Sequence, residues 1–131
     1  MKFLKIFLAL IFIISIASKC NSQGATTAST TTTNEFSEIS EIINSDRTDY
    51  TLIDVRTFEE FSSGHIENAI NIPYDALLNN FKEKDKNKLI IIYCRSGRRT
   101  SIAKETLKGM GYTNVLDFGG INNWKGPLVK D

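Results

Sequence analysis

The chain has 131 residues, of which 41% are hydrophobic and 24% charged, which suits one small globular domain rather than two. Three of the 16 basic residues are lysines in the first 22 residues, a segment that is predicted below to be removed. Without them the chain has 13 basic and 15 acidic residues, which gives a net charge of −2. This balance leaves no basic excess to favour nucleic acid as a partner.

The first 22 residues have the pattern of a secretory signal peptide. Lys2 and Lys5 form a positive start, residues 6–17 are apolar apart from Ser15, and a short polar segment follows. The apolar run is shorter than the roughly 18 to 20 residues that a membrane-spanning helix needs. We therefore predict that residues 1–22 direct export, and that the mature protein is periplasmic or secreted.

Cys20 offers a second interpretation of this segment. A cysteine just after the apolar region resembles the lipid-modified cysteine of bacterial lipoproteins, which would anchor the protein to a membrane. Lys19 stands where those signals usually have a small residue, so lipid attachment at Cys20 is kept as the alternative. Cys94 is then the one cysteine of the folded domain, and no internal disulfide is predicted.

Residues 23–33 are rich in Thr, Ser and Ala, and they carry no charge and show no periodicity. This composition predicts a flexible linker. The folded domain is predicted over residues 34–131 and begins with a helix that Ser37 is suited to cap, because isoleucines recur there at helical spacing. These isoleucines are Ile39, Ile42 and Ile43.

The next segments alternate between strand and helix patterns. Residues 50–55 are mostly apolar and β-rich, as in a buried parallel strand. Thr57 and Glu60 then form a capping box for a short helix, which Gly64 is expected to close in a left-handed conformation. Residues 68–72 read as the following strand.

The alternation continues to the end of the chain. Asp75 is expected to cap a helix that carries Leu77, and the charged residues 82–88 form a surface connection. The remaining elements are a strand over 89–93, a helix over 99–108 that Gly111 ends, a strand over 114–118, and a turn at Gly119-Gly120 that leads into a short helix. The inner face of the long helix is predicted to hold Ile102, Ala103, Leu107 and Met110. This order predicts an α/β fold with a central parallel sheet and helices on both faces.

Cys94 lies where the predicted 89–93 strand ends, at the sheet edge where such folds bind ligands. A thiolate nucleophile needs a positive environment, and three arginines follow Cys94 within five residues. The first N–H groups of the next helix would point toward the sulfur, and Gly97 lets the backbone curl round it. A structural buried cysteine is the alternative, which the arginines disfavour.

Loop length separates two kinds of cysteine chemistry. Protein phosphatases with a cysteine nucleophile have the spacing Cys-x5-Arg-(Ser/Thr), whereas Cys94, Arg99 and Thr100 give Cys-x4-Arg-Thr. The shorter ring favours a single sulfur atom over a phosphoryl group as the transferred centre. A cysteine-dependent phosphatase is therefore the less favoured alternative.

Four segments in this order resemble the single-domain rhodaneses, which are sulfurtransferases, over residues 36–128. The segments are Ile53-Asp54-Val55-Arg56, residues 64–73, residues 93–100, and Gly119-Gly120 with Trp124. The resemblance implies a three-layer rhodanese-like fold and a ping-pong transfer of sulfur through a persulfide on Cys94. It implies a small sulfur-containing anion such as thiosulfate as the donor and a thiol, cyanide or a thiol-carrying protein as the acceptor, with no metal or organic cofactor.

The resemblance also assigns roles to residues around Cys94, the nucleophile. The substrate-binding residues it implies are Arg95, Ser96, Gly97, Arg98 and Arg99, and the supporting residues are Asp54, Arg56 and Thr100. Glu60 departs from the two-domain mammalian enzymes, which have a donor-binding arginine at the matching position, so weaker thiosulfate binding is expected. A non-catalytic binding or sulfur-carrier module of the same family is the alternative function. His65 is expected to pack locally rather than act as a base.

Overall fold

A computed structural model describes residues 28–131, with side chains from residue 33 onward. The predicted signal peptide with Cys20, and the first part of the predicted linker, lie outside the described residues. Within the described part of the chain, no helix is both long and apolar enough to cross a bilayer.

Four parallel strands form one sheet in the order β2-β1-β3-β4. The strands are β1 (Tyr50–Asp54), β2 (Ile70–Asn71), β3 (Leu89–Cys94) and β4 (Val115–Gly120). The helices of the described residues are α1 (Ala28–Asn44), α2 (Phe58–Ser63), α3 (Leu77–Asn80) and α4 (Arg98–Gly109), and a 3-10 turn covers Ile121–Asn123. The predicted α/β fold with a parallel central sheet is confirmed.

Strand β3 shows why the sheet is covered on both faces. Ile90, Ile92 and Cys94 enter a core that is shared with α3 and α4, whereas Ile91 and Tyr93 enter a second core with α1. All five side chains are fully buried. Burial of each isoleucine contributes roughly 1.5–3 kcal/mol, and burial on both faces explains the unbroken apolar run in the sequence.

The short helix α2 follows the predicted local signals closely. The Thr57 side chain accepts from the Glu60 N–H, and the Glu60 carboxylate accepts from the Thr57 N–H, so the capping box is present. Gly64 ends the helix with φ 155° and ψ 125°. The left-handed conformation expected at Gly64 is wrong, although the positive φ still favours glycine.

Helix α1 begins earlier than the sequence predicts. The linker is predicted to reach residue 33 and Ser37 to be the N-cap, whereas the helix starts at Ala28 and Ser37 lies inside it. Ile39 is buried in the core, and once such a packed turn exists, each further residue adds a hydrogen bond at little cost. The domain limits themselves stay predictions.

The N-cap predicted at Asp75 is also wrong. Ala76 occupies the cap position of α3 and makes no side-chain cap bond. The Ala76 N–H donates to the Pro73 carbonyl, and the Ala76 carbonyl accepts from Asn80. The turn after Pro73 therefore winds directly into the helix and leaves no extended residue for a cap.

Two further differences concern the buried face of α4 and the length of β2. Ile102 is 46% exposed, while Ala103 and Leu107 are fully buried, because Ile102 lies about 100° round the helix from Ala103, off the i, i+4 stripe. The strand predicted over 68–72 shortens to β2, since Asn68 turns the chain with φ 65°.

Strand β4 runs two residues further than predicted and contains a bulge. Asp117 lies opposite Ile92, and Gly119 lies opposite Tyr93, so one extra residue is inserted between them. Gly119 has φ 75°, which favours glycine. The bulge brings Gly120 opposite Cys94 at the carboxyl end of the sheet.

Candidate active site

Cys94 ends β3 at the carboxyl edge of the sheet and is fully buried. Its Sγ accepts a hydrogen bond from the Gly97 N–H at 3.0 Å. Gly97 is the N-cap of α4 and has φ 93°, a conformation that residues with a Cβ rarely adopt. The chain after Cys94 therefore curls so that a backbone donor faces the sulfur, as expected from Gly97.

Two side chains of α4 form hydrogen bonds to the loop that links Cys94 to this helix. Thr100 is buried, and its Oγ1 donates to the Gly97 carbonyl at 2.7 Å. The Ser101 hydroxyl reaches the same oxygen at 3.2 Å. These contacts hold the Gly97 carbonyl, which lies in the peptide unit after the one whose N–H meets the Cys94 sulfur, and so support the start of α4.

Gly120 of β4 lies directly against the loop. A Cβ at this position would sit 2.8 Å from the Arg95 carbonyl oxygen and 3.2 Å from the Ser96 Cα. The first of these distances is too short for a real contact with backbone, so only glycine allows the loop to rest on β4. The sequence marked Gly120 as part of a turn, and its role as a support depends on the sheet register.

The end of β1 is held by a buried ion pair. Asp54 is fully buried and accepts from Arg56 through the Nε and the Nη2 atoms, the latter at 2.6 Å. The Arg56 Nη2 also donates to the Gly64 carbonyl at 2.7 Å. The Asn71 amide donates to the carbonyls of both Asp54 and Arg56 at 3.0 Å. This network ties α2 and β2 to the end of β1, which fits a supporting role for Asp54 and Arg56.

Tyr93 connects that network to the strand of the cysteine. Its ring lies under the Arg56 guanidinium, 5.7 Å from the ring centre, and its hydroxyl accepts from the Ile66 N–H at 3.1 Å. Burial, with a further contribution from the Asp54 carboxylate, raises the pKa of Tyr93 well above its usual value. The phenol therefore stays protonated and serves as a structural link that the sequence did not reveal.

The three arginines after Cys94 have different surroundings. Arg99 donates to both carboxylate oxygens of Glu60 at 2.5 Å and 2.8 Å. The Arg99 guanidinium lowers the pKa of Glu60 to about 2, so the carboxylate is charged at neutral pH. Arg95 and Arg98 are exposed and form no ion pair within the described residues.

Two cavities lie near the residues that follow Cys94. One has a volume of about 630 Å³ and borders Arg95, Ser96 and Gly97, with Glu35 and Asp117 among its other walls. The second has a volume of about 320 Å³ and lies on the side of Arg99. Its other lining residues include Arg56, Phe58, Pro73 and Tyr74. A small ligand therefore has space beside the loop at Arg95 and, separately, beside Arg99.

His65 belongs to a different environment. Its ring stacks on Phe61 with centroids 3.7 Å apart, and its Nδ1 lies 3.0 Å from the Phe61 carbonyl oxygen. Its backbone pairs with Val129 of the C-terminal segment. These contacts explain the local packing expected for His65. Across the described residues, no cluster of three or more His, Cys, Asp or Glu side chains could hold a metal ion.

The fold therefore gathers the sequence-predicted residues at one edge of the sheet: Cys94, the loop up to Thr100, and the Asp54–Arg56 pair. The partnership of Arg99 with Glu60 escaped sequence reasoning because the two residues are 39 positions apart. Asn71 was also missed, and its only signal was its place in the segment 64–73.

Comparisons with known proteins agree on one family. A family model described as "Rhodanese-like domain" matches residues 35–127. The thiosulfate sulfurtransferase PspE of Escherichia coli is 42% identical over 84 residues, which cover 60% of this chain and 77% of PspE. A sulfurtransferase of Allochromatium vinosum is 37% identical over 81 residues, which cover 61% of this chain and 76% of that protein. A solved structure titled "rhodanese with anions from E. coli" matches with a TM-score of 0.59 and 38% identity, over 63% of this chain and 99% of that one.

Proposed function

Because this chain belongs to the rhodanese-like domain family, we propose that it is a rhodanese-type sulfurtransferase in which Cys94 carries the transferred sulfur as a persulfide. The observation that supports this most directly is the 3.0 Å hydrogen bond from the Gly97 N–H to the Cys94 Sγ. A donor aimed at this atom stabilises negative charge on it, and the thiolate that attacks the donor and is regenerated when the sulfur leaves carries that charge.

In the first half-reaction, the Cys94 thiolate attacks the outer sulfur of a donor such as thiosulfate. A bond forms between the Cys94 sulfur and that outer sulfur, while the sulfur–sulfur bond of the donor breaks. The electron pair of the broken bond leaves with sulfite. The enzyme then holds a persulfide anion, and the total charge is the same before and after the step.

In the second half-reaction, a thiophilic acceptor takes the outer sulfur. Cyanide attacks that sulfur, the bond to Cys94 breaks, and its electron pair returns to the Cys94 thiolate while thiocyanate leaves. A small thiol or a thiol-carrying protein would accept the sulfur in the same way. Neither half-reaction needs a metal, an organic cofactor or a general base.

The surrounding residues support this chemistry in two ways. The exposed guanidinium groups of Arg95 and Arg98 attract anions toward the loop, and the Ser96 and Gly97 peptides shape the space over the sulfur. Arg99 adds a third cation, one that is shared with Glu60. Positions further from the sulfur act as supports: Asp54, Arg56 and Thr100 hold the end of β1 and the loop in place.

Mass spectrometry of the folded domain tests the proposal. Incubation with thiosulfate should add about 32 daltons, the mass of one sulfur atom, and cyanide should remove it. Cys94→Ser should take up no sulfur. An adduct that persists in Cys94→Ser would refute a Cys94 persulfide. No uptake of sulfur by the wild type would refute the sulfurtransferase and favour a non-catalytic binding module, and hydrolysis of a phosphotyrosine analogue would favour a phosphatase.

Export of the protein is part of the proposal and rests on the sequence of residues 1–22 alone. The mature form would be periplasmic or secreted, with a lipid anchor at Cys20 as the alternative. Mass spectrometry of the native N-terminus separates these outcomes, because cleavage after the signal segment and diacyl attachment at Cys20 give different masses. An intact Met1 would refute both.

A further inference from the structure

Helix α2 contacts the first turn of α4, directly after the loop that begins at Cys94, through an ion pair with two hydrogen bonds. Both Nη atoms of Arg99, in the first turn of α4, donate to the two carboxylate oxygens of Glu60 in α2. The side chains are 24% and 28% exposed, respectively, so solvent screens the pair only in part. The planar groups match in geometry, which makes this one of the stronger kinds of ion pair.

This pair changes the number of free positive charges near Cys94. The positive charge of Arg99 is directed at Glu60, just as that of Arg56 is directed at Asp54. Arg95 and Arg98 form no ion pair within the described residues, although the cavity beside Arg95 also contains two carboxylates, Glu35 and Asp117. Two of the four arginines around the loop are therefore already paired with a carboxylate of the protein.

A donor with two negative charges gains twice as much from each free cation as a donor with one. We propose that Glu60, by neutralising Arg99, makes this site favour singly charged sulfane-sulfur donors, such as thiosulfonates and organic persulfides, over the doubly charged thiosulfate. Glu60 acts through Arg99 and is therefore a positioning residue that determines specificity. The proposal rests on the sulfurtransferase function described above.

The chemistry is the same for a singly charged donor. With a thiosulfonate, the Cys94 thiolate attacks the outer sulfur, the sulfur–sulfur bond breaks, and its electron pair leaves with a sulfinate. Methanethiosulfonate differs from thiosulfate by a methyl group in place of one charged oxygen, and the atom transferred is identical. These two donors therefore form a matched pair that differs chiefly in charge.

The test compares the kcat/KM of both donors, with cyanide as acceptor and thiocyanate as the measured product. Glu60→Gln removes the carboxylate charge and frees the Arg99 charge. Its kcat/KM should rise about threefold for methanethiosulfonate and about ninefold for thiosulfate, because the electrostatic free energy scales with donor charge. The gain should appear in KM, with kcat little changed, and it should shrink at high salt.

Arg99→Gln is the reciprocal variant, because it leaves the Glu60 carboxylate without its ion-pair partner. It should reduce kcat/KM for thiosulfate about ninefold and for methanethiosulfonate about threefold. The double variant changes no net charge and should restore the wild-type ratio between the donors. Glu105→Gln is the matched control, since it makes the same charge change and frees a cation, Lys108, about three turns along α4 from Gly97. Its donor ratio should stay close to that of the wild type.

The outcomes are distinct. If the wild type accepts sulfur from neither donor, the sulfurtransferase function fails, and this proposal fails with it. If the wild type accepts sulfur but Glu60→Gln leaves the donor ratio unchanged, or Glu105→Gln shifts it as far, only the role of Glu60 is overturned. Thermal unfolding checks that each variant is folded, and Arg99→Gln still decides the question if Glu60→Gln does not fold.

Discussion

Gly120→Ala is expected to impair catalysis by displacing the cysteine loop. The new Cβ would lie 2.8 Å from the Arg95 carbonyl oxygen, where ordinary contacts begin near 3.4 Å. The oxygen is backbone and the Cβ is fixed rigidly to the backbone of β4, so relief requires a shift of about 0.6 Å between β4 and the loop. A comparable shift at Gly97 would lengthen its 3.0 Å hydrogen bond to the Cys94 sulfur to roughly 3.6 Å and weaken it.

The expected size follows from that shift. A misplacement of about 1 Å at an active site reduces rate about 100-fold, so a displacement of about 0.6 Å should reduce kcat/KM roughly tenfold. Overpacking should also lower the free energy of unfolding by about 1–3 kcal/mol. Initial rates of thiocyanate formation and urea unfolding measure the two effects separately.

Gly109→Ala provides the control for this experiment. Gly109 lies at the end of α4, and a Cβ there would meet no atom within 4 Å. Alanine should keep wild-type rates and raise the free energy of unfolding by up to about 1 kcal/mol, because it stabilises helix. Wild-type kcat/KM in folded Gly120→Ala would refute the argument that β4 positions the loop.

Three other predictions concern the buried polar network and the α2 ion pair. Asp54→Asn leaves the buried Arg56 charge without its carboxylate, so the free energy of unfolding in urea should fall by about 3–5 kcal/mol; a loss below about 1 kcal/mol would contradict this. Tyr93→Phe removes the acceptor for the buried Ile66 N–H, so the same measurement should show a loss of about 1–3 kcal/mol, and an unchanged value would show that this N–H finds another partner. The pKa of Glu60 is lowered from 4.5 to about 2 in the folded protein, so its charge stabilises the fold above about pH 4.5, and that contribution is lost as the pH falls toward 2. The stability difference between wild type and Glu60→Gln should therefore be constant above about pH 5.5 and shrink below pH 4.5; a difference that does not depend on pH would contradict the pairing.

Local patterns predicted those elements whose stabilising contacts lie within a few residues. The capping box of Thr57 and Glu60 spans three residues, and both of its hydrogen bonds are present. Gly97 and Gly111 occupy positive-φ positions next to α4, as the predicted turns required. The apolar run before Cys94 forms the most buried strand, because a central parallel strand has no solvent face.

The same local signals failed where the helices pack. Ser37 and Asp75 have the side chains of good N-caps, but neither occupies a cap position. Ile102 is apolar but lies mostly outside the core. In each case the position of the helix was decided by what it packs against, and that information is spread over distant parts of the chain.

The sequence by itself determined the order of strands and helices, the place of Cys94 at a strand end, and the glycine that lets the loop curl round the sulfur. Only the tertiary structure decided that Glu60 meets Arg99 and that Gly120 supports the loop. Those contacts depend on how α2 and α4 lie on the sheet and on a bulge in β4, and no spacing within one segment encodes such relations. The Cys94 loop is therefore recognisable from the sequence, whereas the charge that a donor meets there is set by the fold.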